Sequence, residues 1–220
     1  MYVKHLVGLL GSLIVIASST SIQQVSAQQP ADSSTPSGCS GDVEVKSQGD
    51  LDPLKSCRKY SGTITIEKSS VADLKLPGVM EIDGDMHIRN NNALSRLSFP
   101  HLQSIKGLYM DNNRELNRLD LSALTDVQTF QVAVHPALSD ISFPAGLSHV
   151  SKMAISDTTT TRLDGLKMDK VDELLIDNNI YLRTLDIANL TEVSKSMSIS
   201  ANSPDLMLDV SKVPFLLVTY

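Results

Sequence analysis

A pair of apolar residues separated by one position recurs eight times along the chain: Val43/Val45, Ile64/Ile66, Met86/Ile88, Leu108/Met110, Phe130/Val132, Met153/Ile155, Leu174/Ile176 and Met197/Ile199. Successive second members lie 21 to 23 residues apart, with a mean of 22. A period held over seven steps means one structural unit used again and again, and units this short cannot bury their own apolar face, so they must stack.

Other apolar positions keep the same phase. With the second member of each pair as position +0, Leu falls at +6 in Leu94, Leu116, Leu138 and Leu182, and an apolar residue at +9 in Leu97, Leu119, Ile141, Leu185 and Leu208. Position +11 holds Phe99, Leu121, Phe143, Leu166, Ile187 and Val210, and a later turn carries Leu102/Ile105, Leu124/Val127 and Leu190/Val193. The segment ending at +0 and the segment from +9 to +11 both alternate apolar with polar, the period of a half-buried strand. No cycle contains a helical stripe of ten residues or more. The pattern predicts an all-β fold, a right-handed parallel β-helix of about eight 22-residue coils forming one domain over residues 39–220. At about 4.8 Å per coil the stack is roughly 38 Å long. A leucine-rich-repeat-like solenoid is the alternative, because it shares the period and because Ile105, Leu108, Met110 and Asn113 fit its signature. With no Trp, four Phe and five Tyr, the core is left to Leu, Ile, Val and Met.

The first segment stands outside the repeat. Residues 1–27 read as a secretory signal peptide, with Lys4 and His5 at its start, an apolar run from Leu6 to Ala17 and the small-residue site Val25-Ser26-Ala27. That run rises only about 18 Å as a helix, short of a bilayer's hydrocarbon core. Residues 28–38 (QQPADSSTPSG) offer nothing to a core and read as a disordered leader. In an oxidising compartment Cys39 and Cys57, 18 residues apart, are expected to pair as a disulfide that caps the first coil. No CxxC and no further ligand accompanies them, so no metal site and no cofactor is indicated. Lys+Arg 19 against Asp+Glu 25 gives a net charge of −6, which excludes the basic footprint of a nucleic-acid binder.

Several residues stand out as candidate sites. Asn90, Asn112 and Asn178 each lie two residues beyond the strand. Strand parity turns them inward, where stacked amides form a structural ladder from coil to coil, interrupted at Val134 and Asp157. Asn189-Leu190-Thr191 is an N-glycosylation sequon, and Asn189 is expected to face solvent between inward Ile187 and Leu190. On the outward side of the strands a column runs Glu44, Thr65, His87, Tyr109, Gln131, Ala154, Leu175 and Ser198. His87, Tyr109 and Gln131 in it are a candidate partner surface, while the neighbouring Glu67, Arg89 and Asp111 read as cross-strand charge pairing. A catalytic reading rests on Asp186 and Asp209, which share position +10 in adjacent cycles. Repeats this uniform leave no long loop to build a cleft, so two solvated carboxylates is the simpler reading. His101, His135 and His149 show no fixed phase and receive no ligand role, and the tract from Thr158 to Thr161 is either a Thr-rich turn or a site of O-linked sugar.

The signal peptide, the early Cys39, the run Ser61-Gly62-Thr63-Ile64-Thr65-Ile66 and the repeats Leu97-Ser98-Phe99-Pro100-x-Leu102-x-x-Ile105 and Ile141-Ser142-Phe143-Pro144 together resemble a known family. It is that of the fungal GPI-anchored cell-wall organisation proteins with receptor L-domain-like repeats, sporulation-specific wall proteins among them. The resemblance covers about residues 39–210. It implies a non-catalytic secreted or cell-surface glycoprotein of the fungal wall, whose partners are wall polysaccharides or other wall and surface proteins. The family pattern also has a second domain, a Ser/Thr-rich stalk and a C-terminal GPI signal, whereas Phe215 to Val218 supplies only four apolar residues of such a tail. Membrane attachment is therefore expected only through a signal beyond Tyr220.

Overall fold

The structure is a computed structural model and describes residues 38–213. The expected signal peptide and all of the expected leader but Gly38 lie outside the described residues, as does the apolar tail from residue 214. Each cycle contributes one strand to a large parallel sheet, in the order Val43–Val45, Ile64–Glu67, Glu81–Arg89, Ser104–Asp111, Asp126–His135, His149–Thr158, Lys170–Asp177 and Glu192–Ser200. These strands define coils 1 to 8. Lys59–Ser61 pairs beside them with the start of the coil 3 strand.

The apolar pairs found in the sequence are the inward column of this sheet. Ile64, Ile66, Met86, Ile88, Leu108, Met110, Phe130, Val132, Met153, Ile155, Leu174 and Ile176 are all buried. Each such side chain contributes roughly 1.5–3 kcal/mol by leaving water. Pairing is in register from coil to coil, so Ile66, Ile88 and Met110 lie side by side.

Position +9, reached at +8 in the coils of Leu74 and Leu163, forms a second parallel column in two pieces. One piece aligns Leu74, Leu97 and Leu119, and the other aligns Ile141, Leu163, Leu185 and Leu208. The third side is a tight turn, closed by backbone bonds such as Leu102 N to Phe99 O at 3.2 Å and Leu190 N to Ile187 O at 2.9 Å. Phe130 packs edge-on against Phe143 at 5.3 Å across the interior. Two strand columns and a turn make a β-solenoid, the architecture expected from the period. The described residues contain no α-helix where a leucine-rich repeat would place one. None of their helices is long and apolar enough to cross a membrane.

The first coil is sealed. A 3-10 helix, Gln48–Ser56, lays Leu51 and Leu54 over the end of the core. Its start is held by Asp50, whose carboxylate accepts hydrogen bonds from the N–H groups of Lys46 at 2.9 Å and Ser47 at 2.8 Å. Those donors keep Asp50 below the usual carboxylate range. Cys39 and Cys57 form the expected disulfide, with Cα atoms 5.6 Å apart. Tyr60 is buried beside it and donates its hydroxyl to Gly41 O at 2.6 Å.

The corner after each main strand corrects the asparagine assignment. Position +2 adopts left-handed backbone in seven successive coils, at Lys68, Asn90, Asn112, Val134, Asp157, Asn178 and Ala201, with φ from 50° to 60°. A left-handed residue breaks the alternation of a strand, so it is the next position that turns inward. The buried ladder is accordingly Asn91, Asn113 and Asn179, continued by Ser69, His135 and Thr158, with Asn202 partly buried at its far end. Asn91 Nδ2 donates to Asn113 Oδ1 at 2.8 Å and to Ile66 O at 2.9 Å, and Asn179 Nδ2 donates to Ile155 O at 3.0 Å. Asn90, Asn112 and Asn178 do not point inward. They line the corner's outer rim, where Asn112 Nδ2 donates to Asn90 Oδ1 at 2.9 Å and Asn178 Nδ2 to Asp157 Oδ1 at 2.6 Å.

Candidate partner-binding face

The outward face of the large sheet is flat because every coil repeats the same strand, and its chemistry is set by the residues between the buried ones. His87, Tyr109 and Gln131 occupy one register position on coils 3, 4 and 5. All three are half-buried at their bases by the strands beside them. The rings of His87 and Tyr109 stack, with centroids 4.9 Å apart and planes 16° from parallel. The sequence thus placed the three residues correctly, and the spacing of adjacent strands enforces the stack.

Further along each strand, Glu67 and Arg89 form an ion pair at 3.2 Å, with Asp111 next in register. Partial burial against the sheet pushes the Glu67 carboxyl up, but the Arg89 guanidinium, Lys68 and the Asn90 amide together outweigh this and hold it below the usual range. Beyond Gln131 the outward residues become small, with Ala133 on coil 5 and Ala154 and Ser156 on coil 6. Leu175 on coil 7 then stands up, 41% exposed.

Two residues of this face escaped sequence reasoning. Gly107 and Asp85 are register neighbours on coils 4 and 3. A Cβ on Gly107 would meet Cε2 of Tyr109 and come within 2.5 Å of Asp85 Oδ1. Glycine at 107 therefore leaves room for the tyrosine ring to lie along its own strand. The only signal in the sequence was a glycine inside a strand pattern, which marks close approach by some other group. Ile180 and Tyr181, 55% and 53% exposed at the coil 7 corner, were also missed, because they fall in a turn that the strand periods do not describe.

The remaining candidates sort by burial and hydrogen bonding. Asn189 is exposed in the turn between buried Ile187 and Leu190, and its sequon partner Thr191 donates its hydroxyl to Asp169 O at 3.1 Å. Asp186 and Asp209 each bind their own turn, accepting from Ala188 N at 3.2 Å and Ser211 N at 2.9 Å. The Ser211 N–H keeps Asp209 ionised below the usual carboxylate range. Each of the two carboxylates thus caps its own turn. In the Thr158 to Thr161 tract Thr158 and Thr160 are buried, Thr159 is half-buried and Thr161 is exposed. His135, which seemed to lack a phase, has the ladder's phase once the left-handed corner is counted, three residues beyond Val132. Among the described residues no group of three His, Cys, Asp or Glu side chains is placed to hold a metal ion.

Residues 56–141 match the receptor L domain family. Over 80% of its length the chain is 33% identical to the cell wall protein ecm33 of Schizosaccharomyces pombe, covering 43% of that protein. It is 30% identical over 69% of its length to the cell surface GPI-anchored protein ECM33 of Candida albicans, covering 37% of it. A third relative is sporulation-specific protein 2 of Saccharomyces cerevisiae, 33% identical over 79% of the chain and 35% of that protein. The chain thus spans less than half the length of each of these relatives. No solved structure matches it. The period, the parallel solenoid and these similarities agree, and the chain belongs to the receptor L-domain family that includes these fungal cell-wall and cell-surface proteins.

Proposed function

We propose that this chain is the solenoid domain of a non-catalytic glycoprotein, displayed in or on the fungal cell wall, that contributes to wall organisation by presenting its flat outer face to wall polymers or other surface proteins. The observation that carries this reading is the uniform run of coils. With 21 to 23 residues per cycle, no long loop rises from the described coils to build a cleft, and what varies is the outward side chain of each strand. Similarity to proteins named for the wall and cell surface supports the location. Asn189, exposed on its turn, is the proposed attachment point of an N-linked glycan.

Fractionation of a fungus expressing the tagged chain tests the reading. The chain is expected in the wall or at the cell surface, with a mass that falls on treatment with an N-glycosidase and does not fall in Asn189→Gln. Retention inside the cell would overturn the location. The purified chain is expected to release no reducing ends and no unsaturated products from wall glucans or pectin, and either product would overturn the non-catalytic role.

A further inference from the structure

We propose that coils 3 to 5 carry a carbohydrate-binding platform on which the Tyr109 ring, steadied by His87 and seated over Gly107, stacks against a pyranose of a neutral polysaccharide. This rests on the outer face being the presenting face, and it names the class of partner.

The stack on His87 covers one face of the Tyr109 ring. The other face is turned toward coil 5, whose outward residues in that stretch are Thr129, Gln131 and Ala133. None of these is aromatic, and on coil 6 Ala154 and Ser156 are small beside Gln131 and Ala133, while Lys152, beside Thr129, is drawn to Glu173 on coil 7 at 2.9 Å. The result is a step with an aromatic riser and a polar tread. A sugar ring fits such a step because its C–H face packs on the aromatic ring while its hydroxyls meet the Gln131 amide and the Thr129 hydroxyl.

Gly107 is the independent observation. Its φ does not lie in the left-handed region that favours glycine, so backbone conformation does not call for glycine there. Its missing Cβ is the space that Tyr109 and Asp85 use. The ring is thereby fixed before any ligand arrives, which reduces the ordering penalty of binding.

Two features select the ligand class. Strands of coils 3 to 5 are paired on both sides, so their backbone groups are spent and an extended peptide cannot add to the sheet here. The charges around the step, Asp85, Glu67, Arg89 and Asp111 together with the Lys152–Glu173 pair beside Thr129, carry a net negative sign, which disfavours polyuronates and phosphorylated glycans.

Binding of the purified chain to laminarihexaose and chitohexaose, by calorimetry and by co-sedimentation with the insoluble polymers, tests the platform. Saturable binding to at least one of them is expected, and polygalacturonate is expected to bind at least tenfold more weakly. Tyr109→Ala and Gly107→Ala should each weaken binding at least tenfold, Tyr109→Phe should keep it within about threefold, and Tyr181→Ala, at a distant exposed tyrosine, should leave it unchanged. The melting temperature of Tyr109→Ala should stay near wild type, which separates lost binding from lost fold. No binding to either oligosaccharide, or equal binding by wild type and Tyr109→Ala, overturns the platform. A chain that still fractionates with the wall while binding neither sugar sinks this proposal and leaves the presenting role standing.

Discussion

Val134 and His135 are where this chain departs from its own repeat. Val134 holds φ at 60°, a conformation in which a β-branched side chain is strained and which its counterparts fill with Lys, Asn, Asp and Ala. Val134→Asn should stabilise the fold by about 1–2 kcal/mol, read as a higher melting midpoint, since Asn tolerates this region and continues the rim of amides from Asn112. A lower midpoint would show that the valine is held by packing that outweighs the strain. His135 is buried in the ladder, with Nε2 3.0 Å from Asn113 Nδ2 and Nδ1 left without a partner. Burial lowers its pKa from 6.5 to about 4. The unfolded chain therefore binds a proton that the folded chain refuses. The associated stability is complete above pH 6.5 and is lost as the pH falls toward 4, about 3 kcal/mol in all. Denaturant midpoints at pH 7 and pH 4.5 should converge less in wild type than in His135→Asn, which removes the titrating group and restores an amide to the ladder. An identical pH response in both proteins would mean that His135 is protonated in the fold.

The corner is the element that sequence reading placed one residue too early. Apolar columns survive in the sequence because burial is a property of side-chain type, and a period of two along the strand followed by a fixed 22-residue step locates every inward position from Ile64 to Ile176. The left-handed residue at +2 leaves no such trace. Asn is tolerant of that conformation and is also a good buried amide, so in Asn90-Asn91, Asn112-Asn113 and Asn178-Asn179 the two roles are written with the same letter. The coil with Val134-His135 held the discriminating information, since only its second residue could join a polar ladder. Gly107 was illegible for a related reason, because what it accommodates lies across the register rather than beside it in the chain. The two roles separate by substitution. Asn113→Ala removes the acceptor of the Asn91 N–H and of one Nδ2–H of Asn91 and the side-chain donor to the carbonyl of Ile88 inside the corner, and should destabilise by about 2–4 kcal/mol. Asn112→Gly gives up two solvent-accessible rim bonds, to Asn90 and from Arg114, but eases the left-handed backbone, and should stay within about 0.5 kcal/mol of wild type. Equal losses in the two variants would place the ladder on the rim after all.

At the scale of the whole molecule, each coil touches mainly its neighbours, so the solenoid's stability is close to a sum of coil and interface contributions and a defect at one end need not travel. The cap at coil 1 is therefore a local device. Leu51 and Leu54 cover apolar side chains that have no coil above them among the described residues, and the bond between Cys39 and Cys57 ties the chain on either side of that plug. Closing a loop of 18 residues limits the unfolded chain and contributes roughly 3 kcal/mol on the chain-entropy account. Replacing both cysteines with serine should lower overall stability by about that amount, and nearest-neighbour coupling says where the loss appears first. Amide exchange should accelerate at Val45, Ile64 and Ile66 in coils 1 and 2, while Phe130 and Ile155 in the middle of the stack keep their wild-type protection under native conditions. The ring stack of His87 and Tyr109 lies on coils 3 and 4, close enough to the cap to report on how far fraying spreads. If exchange rises evenly through all coils, the solenoid opens as a single cooperative unit, and the cap then supports the outer face as directly as the strands that carry it.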